Sequence, residues 1–167
     1  MAQRYALAES DDDFLMTAAR RYVHNVDIGA DPAAVWAALT ADDALVSWSP
    51  VISAMEWTAP RPFGVGATRT VTLGGVVRLD ERFYRWDEGK RMTFTVDAAS
   101  IPGLRRFAED IVLAPRTEGT RLTWTFALEG TPALRPLLAL ASPANRLVTS
   151  TIANGTARVR TLHGRTR

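Results

Sequence analysis

"VDIGADPAAVWAALTADDALVSW", residues 26–48, holds the turning point of the chain. Its head closes the alternating segment "RYVHNVDIG" (21–29), in which Tyr22, His24, Val26 and Ile28 recur at the period of a half-buried strand that ends at Ala30. Asp31 then stands where a side chain caps the free N–H groups of a helix, and Pro32 takes the first helical position, where its missing N–H costs nothing. Val35, Trp36 and Leu39 share one side of that helix. Thr40 followed by Asp43 repeats the capping pattern, which predicts a second short helix carrying Leu45 and Val46 until Pro50 forbids continuation. The stretch thus reads as strand, helix, helix, an elbow whose Trp36 and Trp48 must each find a large surface to lie against.

Downstream the period changes to that of strands. "VISAMEWT" (51–58), "ATRTVTL" (67–73), "VVRLDERFYRW" (76–86), "RMTFTVD" (91–97), "FAEDIVLA" (107–114) and "TRLTWTFALEG" (120–130) are separated by segments rich in Gly, Pro and Asp. Gly74 and Gly75 predict a tight hairpin, because both central positions can take positive φ without steric cost. Six consecutive strands with short connections read as an antiparallel meander. From Pro132 onward Leu134, Leu137, Leu138 and Ala141, then Leu147, Val148, Ile152, Val159 and Leu162, follow helical spacing, with Pro143 marking a fresh start inside the run. Upstream, "SDDDFLMTAARR" (10–21) has acids at its front and arginines at its back, suited to a short helix in an N-terminal extension spanning 1–20.

Composition narrows the chemistry. A chain of 167 residues with 47% hydrophobic and 23% charged residues is sized for one domain with a real core. The absence of cysteine removes disulfides, thiolate nucleophiles and cysteine metal sites. His24 and His163 are the only histidines, so a multi-histidine metal centre cannot be built, and neither metal nor cofactor is implied. The net charge is +2, and the arginines are spread through strands alternating with acids rather than clustered, which argues against a nucleic-acid partner. No apolar run reaches membrane-spanning length and the N-terminus lacks a signal pattern, so the expectation is a soluble, cytoplasmic protein without membrane insertion. "FGVGATR" (63–69) lacks the phosphate-loop lysine and precedes a strand, and no G-x-S-x-G elbow occurs.

The order strand, two short helices, six antiparallel strands, long terminal helix, with 26–48 at its head and "GTRLTWTFALEG" (119–130) before the last helix, resembles the START-like superfamily. This is the helix-grip fold of birch-pollen-allergen-like proteins, including bacterial polyketide cyclase/dehydrase and lipid-transport relatives. The likeness spans residues 21–163, leaving 164–167 as a C-terminal tail. It implies an α+β domain in which a curved seven-stranded antiparallel sheet grips the C-terminal helix around a largely apolar cavity, entered near the elbow and its neighbouring loops.

Strand parity supplies candidates for that cavity. Leu122, Trp124, Phe126 and Leu128 share the apolar face of the last strand, Met92, Phe94 and Val96 that of the fifth, and Phe107, Glu109, Ile111 and Leu113 that of the sixth. Val77, Leu79, Glu81 and Phe83 point the same way from the fourth strand, and Arg69, Val71 and Leu73 from the third. The expected ligand-facing residues are therefore Arg69, Val71, Glu81, Phe83, Met92 and Phe94, followed by Phe107, Glu109, Ile111, Trp124 and Phe126. Leu138, Asn145 and Val148 join them from the helix, and Trp48 from the lip of the cavity.

Arg69 and Glu81 are expected to meet inside, as a register-fixing ion pair or as a ligand contact. Asn145 is either an amide offered to a ligand or a helix-surface residue. Three functions remain open on this reading: a module binding a small hydrophobic molecule, a cofactor-independent cyclase or dehydratase using Glu81 or Glu109 for proton transfer with Arg69 steadying an enolate, and a partner-binding module of the co-chaperone kind. Neither the ligand nor the oligomeric state, monomer or dimer, follows from the sequence.

Overall fold

The computed structural model describes residues 3–157. A two-residue strand β1 (Tyr5–Ala6) and a one-and-a-half-turn helix α1 (Asp12–Thr17) precede β2 (Arg20–Ile28) and α2 (Pro32–Thr40). The meander follows as β3 (Ile52–Trp57), β4 (Thr68–Leu73), β5 (Val77–Asp87), β6 (Arg91–Ala99), β7 (Leu104–Arg116) and β8 (Gly119–Gly130). A 3₁₀ turn (Pro132–Leu134), α3 (Arg135–Ala139) and α4 (Ala141–Ser150) complete it, and residues 152–157 are again helical.

The sheet is antiparallel throughout, in the order β2-β8-β7-β6-β5-β4-β3, so the first long strand closes against the last. β1 lies off this path: where β6 runs past its pairing with β7 at Thr95, its far end at Ala98 and Ala99 is paired by Ala6 and Tyr5 instead. Bulges in the β5–β6 pairing and near the start of β7 break the register and help bend the sheet. The terminal helix lies along the concave side as a bent series of segments; it is interrupted at Leu140, between Pro136 and Pro143, and again at Thr151. The result is the α+β helix-grip architecture, with seven long strands around a C-terminal helix.

Local chemistry explains the elements. Asp31 accepts the Ala34 N–H at 2.8 Å and Pro32 opens α2, as the capping pattern predicts. Gly74 and Gly75 both take positive φ, 54° and 74°, giving the tight β4–β5 hairpin. The second short helix of the elbow is corrected: residues 42–48 form consecutive turns. Leu45 adopts φ 67°, a left-handed conformation that no regular helix accommodates, while the Ser49 N–H returns to the Leu45 carbonyl at 2.7 Å.

The N-terminal segment lies on the convex side of the sheet. Phe14 and Leu15 are buried there against Ala108 and Ala127, small residues that leave room for them. Arg85 pairs with Asp12 at 2.5 Å, Arg82 with Glu9 at 3.2 Å and Arg106 with Asp11 at 3.5 Å, and Arg4 pairs with Asp80. Val159, Leu162, His163 and the tail 164–167 lie outside the described residues.

Candidate functional site

The two tryptophans of the elbow find different partners. Trp36, on α2, meets Trp86 edge-on with ring centroids 5.2 Å apart, in an aromatic cluster that includes Trp57, Phe63 and Phe83. Trp48 lies against Gly155: a Cβ added there would stand 2.2 Å from the Trp48 ring, so only glycine lets the helical backbone come this close. Trp48 therefore packs the elbow to the helical residues around Gly155 and does not line the cavity.

Between sheet and helix is a cavity of about 300 Å³, at the small end of the usual range for ligand pockets. Val71, Leu79, Phe107, Phe126 and Leu128 wall it from the strands, and Leu138, Ala141, Ala144 and Val148 from the helix. Leu45, Ile52 and Leu104 line it as well. Leu137 and Leu140, also in its wall, are 53% and 64% exposed, so the interrupted part of the helix forms an apolar rim where the cavity reaches the surface.

Four polar side chains of the sheet face this space. Arg69 and Glu81 are directly opposite on β4 and β5, and the Arg69 Nε–H donates to Glu81 Oε2 at 2.5 Å with the two residues 2% and 3% exposed. The Arg69 guanidinium carbon also stands 4.9–5.4 Å from the ring centres of Trp57, Phe83 and Phe94, so aromatic faces supplement its carboxylate partner. Also in the wall, the Trp124 indole N–H donates to Glu109 Oε2 at 2.7 Å, a diagonal contact between β8 and β7. On the helix side, the Asn145 Nδ2 is buried without a hydrogen-bond partner among the described residues.

Two buried carboxyl groups share one buried cation here, and charge decides which stays ionised. Burial pushes Glu81 upward, and the positive charge and hydrogen bond of Arg69 partly offset it. Glu109 is pushed well above the usual carboxylate range, first by burial and then by the negative charge of Glu81, against weaker opposing effects of Arg69 and Trp124. The ion pair accordingly forms between Arg69 and Glu81, while burial and the neighbouring negative charge favour the protonated form of Glu109, which accepts from Trp124 through one oxygen.

Of the residues expected at the cavity, Arg69, Val71, Glu81, Phe107, Glu109 and Trp124 line it, as do Phe126, Leu138, Asn145 and Val148. Phe83, Met92, Phe94 and Ile111 point inward but are buried in the solid core away from the space. Ile101 and Leu104 also line the cavity, although their segment reads as a mere connection; the apolar pair flanking Pro102–Gly103 is the signal for them. Leu137 and Leu140 belong to the helix's apolar run, but their exposure at the rim depends on the break between α3 and α4.

A family model described as polyketide cyclase / dehydrase and lipid transport matches residues 19–164. Uncharacterised proteins of Mycobacterium tuberculosis and Mycobacterium bovis are 37% identical over 135 residues, covering 77% of this chain and 81% of theirs. Among solved structures, the chain is similar to a Thermus thermophilus protein (TM-score 0.67, 22% identity, 86% of this chain and 99% of that one). It is also similar to Ara h 8.0201 (TM-score 0.64, 13% identity, 85% and 98%) and to a START superfamily protein of Mycobacterium smegmatis (TM-score 0.63, 13% identity, 85% and 98%). These likenesses show the fold. Among the described residues no helix is long and apolar enough to cross a membrane. Together with the curved sheet and its gripped helix, the match over nearly the whole length shows that the chain belongs to the polyketide cyclase / dehydrase and lipid transport family.

Proposed function

We propose that the protein holds a small hydrophobic or amphipathic molecule in the cavity beneath its C-terminal helix. The observation that carries this reading is a space of about 300 Å³ walled almost wholly by apolar side chains, whose polar groups are few and specific. An apolar body is stabilised by contact with the aliphatic wall. A carbonyl or hydroxyl on the occupant has the Glu109 acid and the Asn145 amide as partners, and the unpartnered Nδ2 of Asn145 gains a hydrogen bond it otherwise lacks.

Native mass spectrometry of gently purified protein tests this, together with titration by an environment-sensitive apolar dye. Ala144→Phe, which places a ring in the cavity, is expected to abolish binding of both the co-purified molecule and the dye. Finding no bound molecule, and dye binding equal in the two proteins, defeats the reading.

A second reading is supported by the place of Glu109 in the cavity wall, where burial and the Glu81 charge raise its pKa: a cofactor-independent cyclase or dehydratase, in which Glu81 or Glu109 takes the proton whose removal forms an enolate and later returns it, and Arg69 steadies the enolate charge. Turnover of linear polyketone analogues by wild type, Glu81→Gln and Glu109→Gln separates the two. Equal rates in all three proteins remove both acids from any reaction.

A further inference from the structure

A second concavity, about 540 Å³, lies where the starts of β2 and β7, the end of β8 and the 3₁₀ turn with α3 come together. Arg20, Arg105, Arg106 and Arg135 all line it, with Glu129 as the lone acid among its lining residues. Most described arginines are ion-paired, ten of fifteen; of the five that have no ion pair with a described residue (Arg20, Arg21, Arg105, Arg135 and Arg146), three face this one cleft.

Backbone geometry produces the convergence. In a regular strand Arg105 and Arg106 would point to opposite faces. Here Leu104 pairs with Gly130 and Arg106 with Glu129, so Arg105 is the extra residue of a bulge, and both side chains reach the same cleft. Converging like charges repel, and an arrangement in which a bulge sets Arg105, without an ion pair, beside Arg106 and in one cleft with Arg20 and Arg135 is relieved by an anion.

The charge balance identifies the class of anion. Four arginines face Glu129 and the Asp11 carboxylate, which bridges to Arg106 at 3.5 Å, leaving +2. A phosphomonoester carries about −1.5 to −2 at neutral pH and presents three terminal oxygens, to which guanidinium forks bind in bidentate fashion. A single carboxylate would satisfy only half of that charge. Phe14, Leu128 and Leu138 give the cleft an apolar floor, suiting a phosphate attached to an organic body.

We infer that this cleft is a phosphomonoester site, distinct from the cavity, an inference that does not rest on the function proposed for the cavity. The probe is inorganic phosphate, followed through backbone amide resonances of the full chain, with a second arm using phosphatidylcholine vesicles with and without phosphatidic acid. Saturable shifts are expected at Arg20, Arg105, Gly130 and Arg135. Arg105→Gln combined with Arg135→Gln should weaken binding about tenfold or more, and each single change should weaken it, whereas Arg116→Gln, one charge removed at the far end of β7, should leave it unchanged. Both substituted side chains in the double variant are exposed, so the fold is expected to persist.

Binding of phosphatidic-acid vesicles that the double variant loses identifies a lipid headgroup as the source of the phosphate. Phosphate binding without vesicle binding identifies a free phosphoester. Absence of both, or equal weakening by Arg116→Gln, overturns the site while leaving the cavity reading untouched.

Discussion

At the scale of single residues, the buried polar cluster is the feature with the sharpest consequences. Removing Arg69 strands Glu81 in an apolar wall, so Arg69→Met is expected to cost about 3–5 kcal/mol in urea denaturation, while the double change with Glu81→Leu recovers most of the loss. Recovery separates a charge effect from a packing effect; a double variant as weak as the single one would show that packing dominates.

Glu109 makes the complementary case in pH. Its native pKa lies above its unfolded value because burial disfavours the anion, so its contribution is fully present below the unfolded pKa and is lost as pH rises through the native pKa. Glu109→Gln mimics the neutral acid and keeps an acceptor for the Trp124 N–H. Its melting temperature should therefore exceed that of wild type by a margin that grows as pH rises above the usual carboxylate range; parallel curves would show that the carboxyl is ionised in the native state.

At the scale of elements, two contacts fix how segments are laid on the sheet. Gly155 sits in a helical stretch, where alanine normally stabilises by about 1 kcal/mol, yet its missing Cβ is what admits the Trp48 ring. Overpacking typically costs about 1–3 kcal/mol, so Gly155→Ala should lower the melting temperature despite the gain in helix propensity. On the convex side, Phe14→Ala empties the small pocket over Ala108 and Ala127 and should cost about 3 kcal/mol by chemical denaturation. In the acid–arginine pairs beside it the acids are exposed and the arginines half-buried, so the pairs contribute little and weaken further with salt.

Elements were also the level at which the sequence was most readable. Parity put Arg69 and Glu81 on one face, where they were expected to meet, and aimed Trp124 and Glu109 to the same side, because alternation is a property of the backbone; the register that sets Arg69 directly opposite Glu81 comes from the structure. It could not separate Phe83, Met92, Phe94 and Ile111 from Val71, Leu79 and Phe126, since whether an inward side chain meets a void or a neighbour depends on how far along a curved strand it sits. The turns at 42–48 were missed because capping residues report where a helix can begin, and Leu45 at positive φ has no signature in residue type.

For the molecule as a whole, the cavity sets stability against occupancy. A ligand that binds only the folded state adds about 2.7 kcal/mol at a hundredfold excess over its Kd. A molecule recovered from the native protein should accordingly raise the melting temperature in proportion to the logarithm of its concentration, and Ala144→Phe should abolish the rise. A concentration-independent melting temperature would show that the molecule is not held in the native state.

Leu138 belongs to both compartments: its side chain walls the apolar cavity on one side and floors the arginine cleft on the other, three residues beyond Arg135. It works as a septum. A bulky guest that pushes it outward narrows the neighbouring chamber, and a guest anchored at Arg135 stiffens the partition against that push, so the two occupants compete for volume without ever touching. By reciprocity, whatever penalty the first imposes on the second is returned in equal measure.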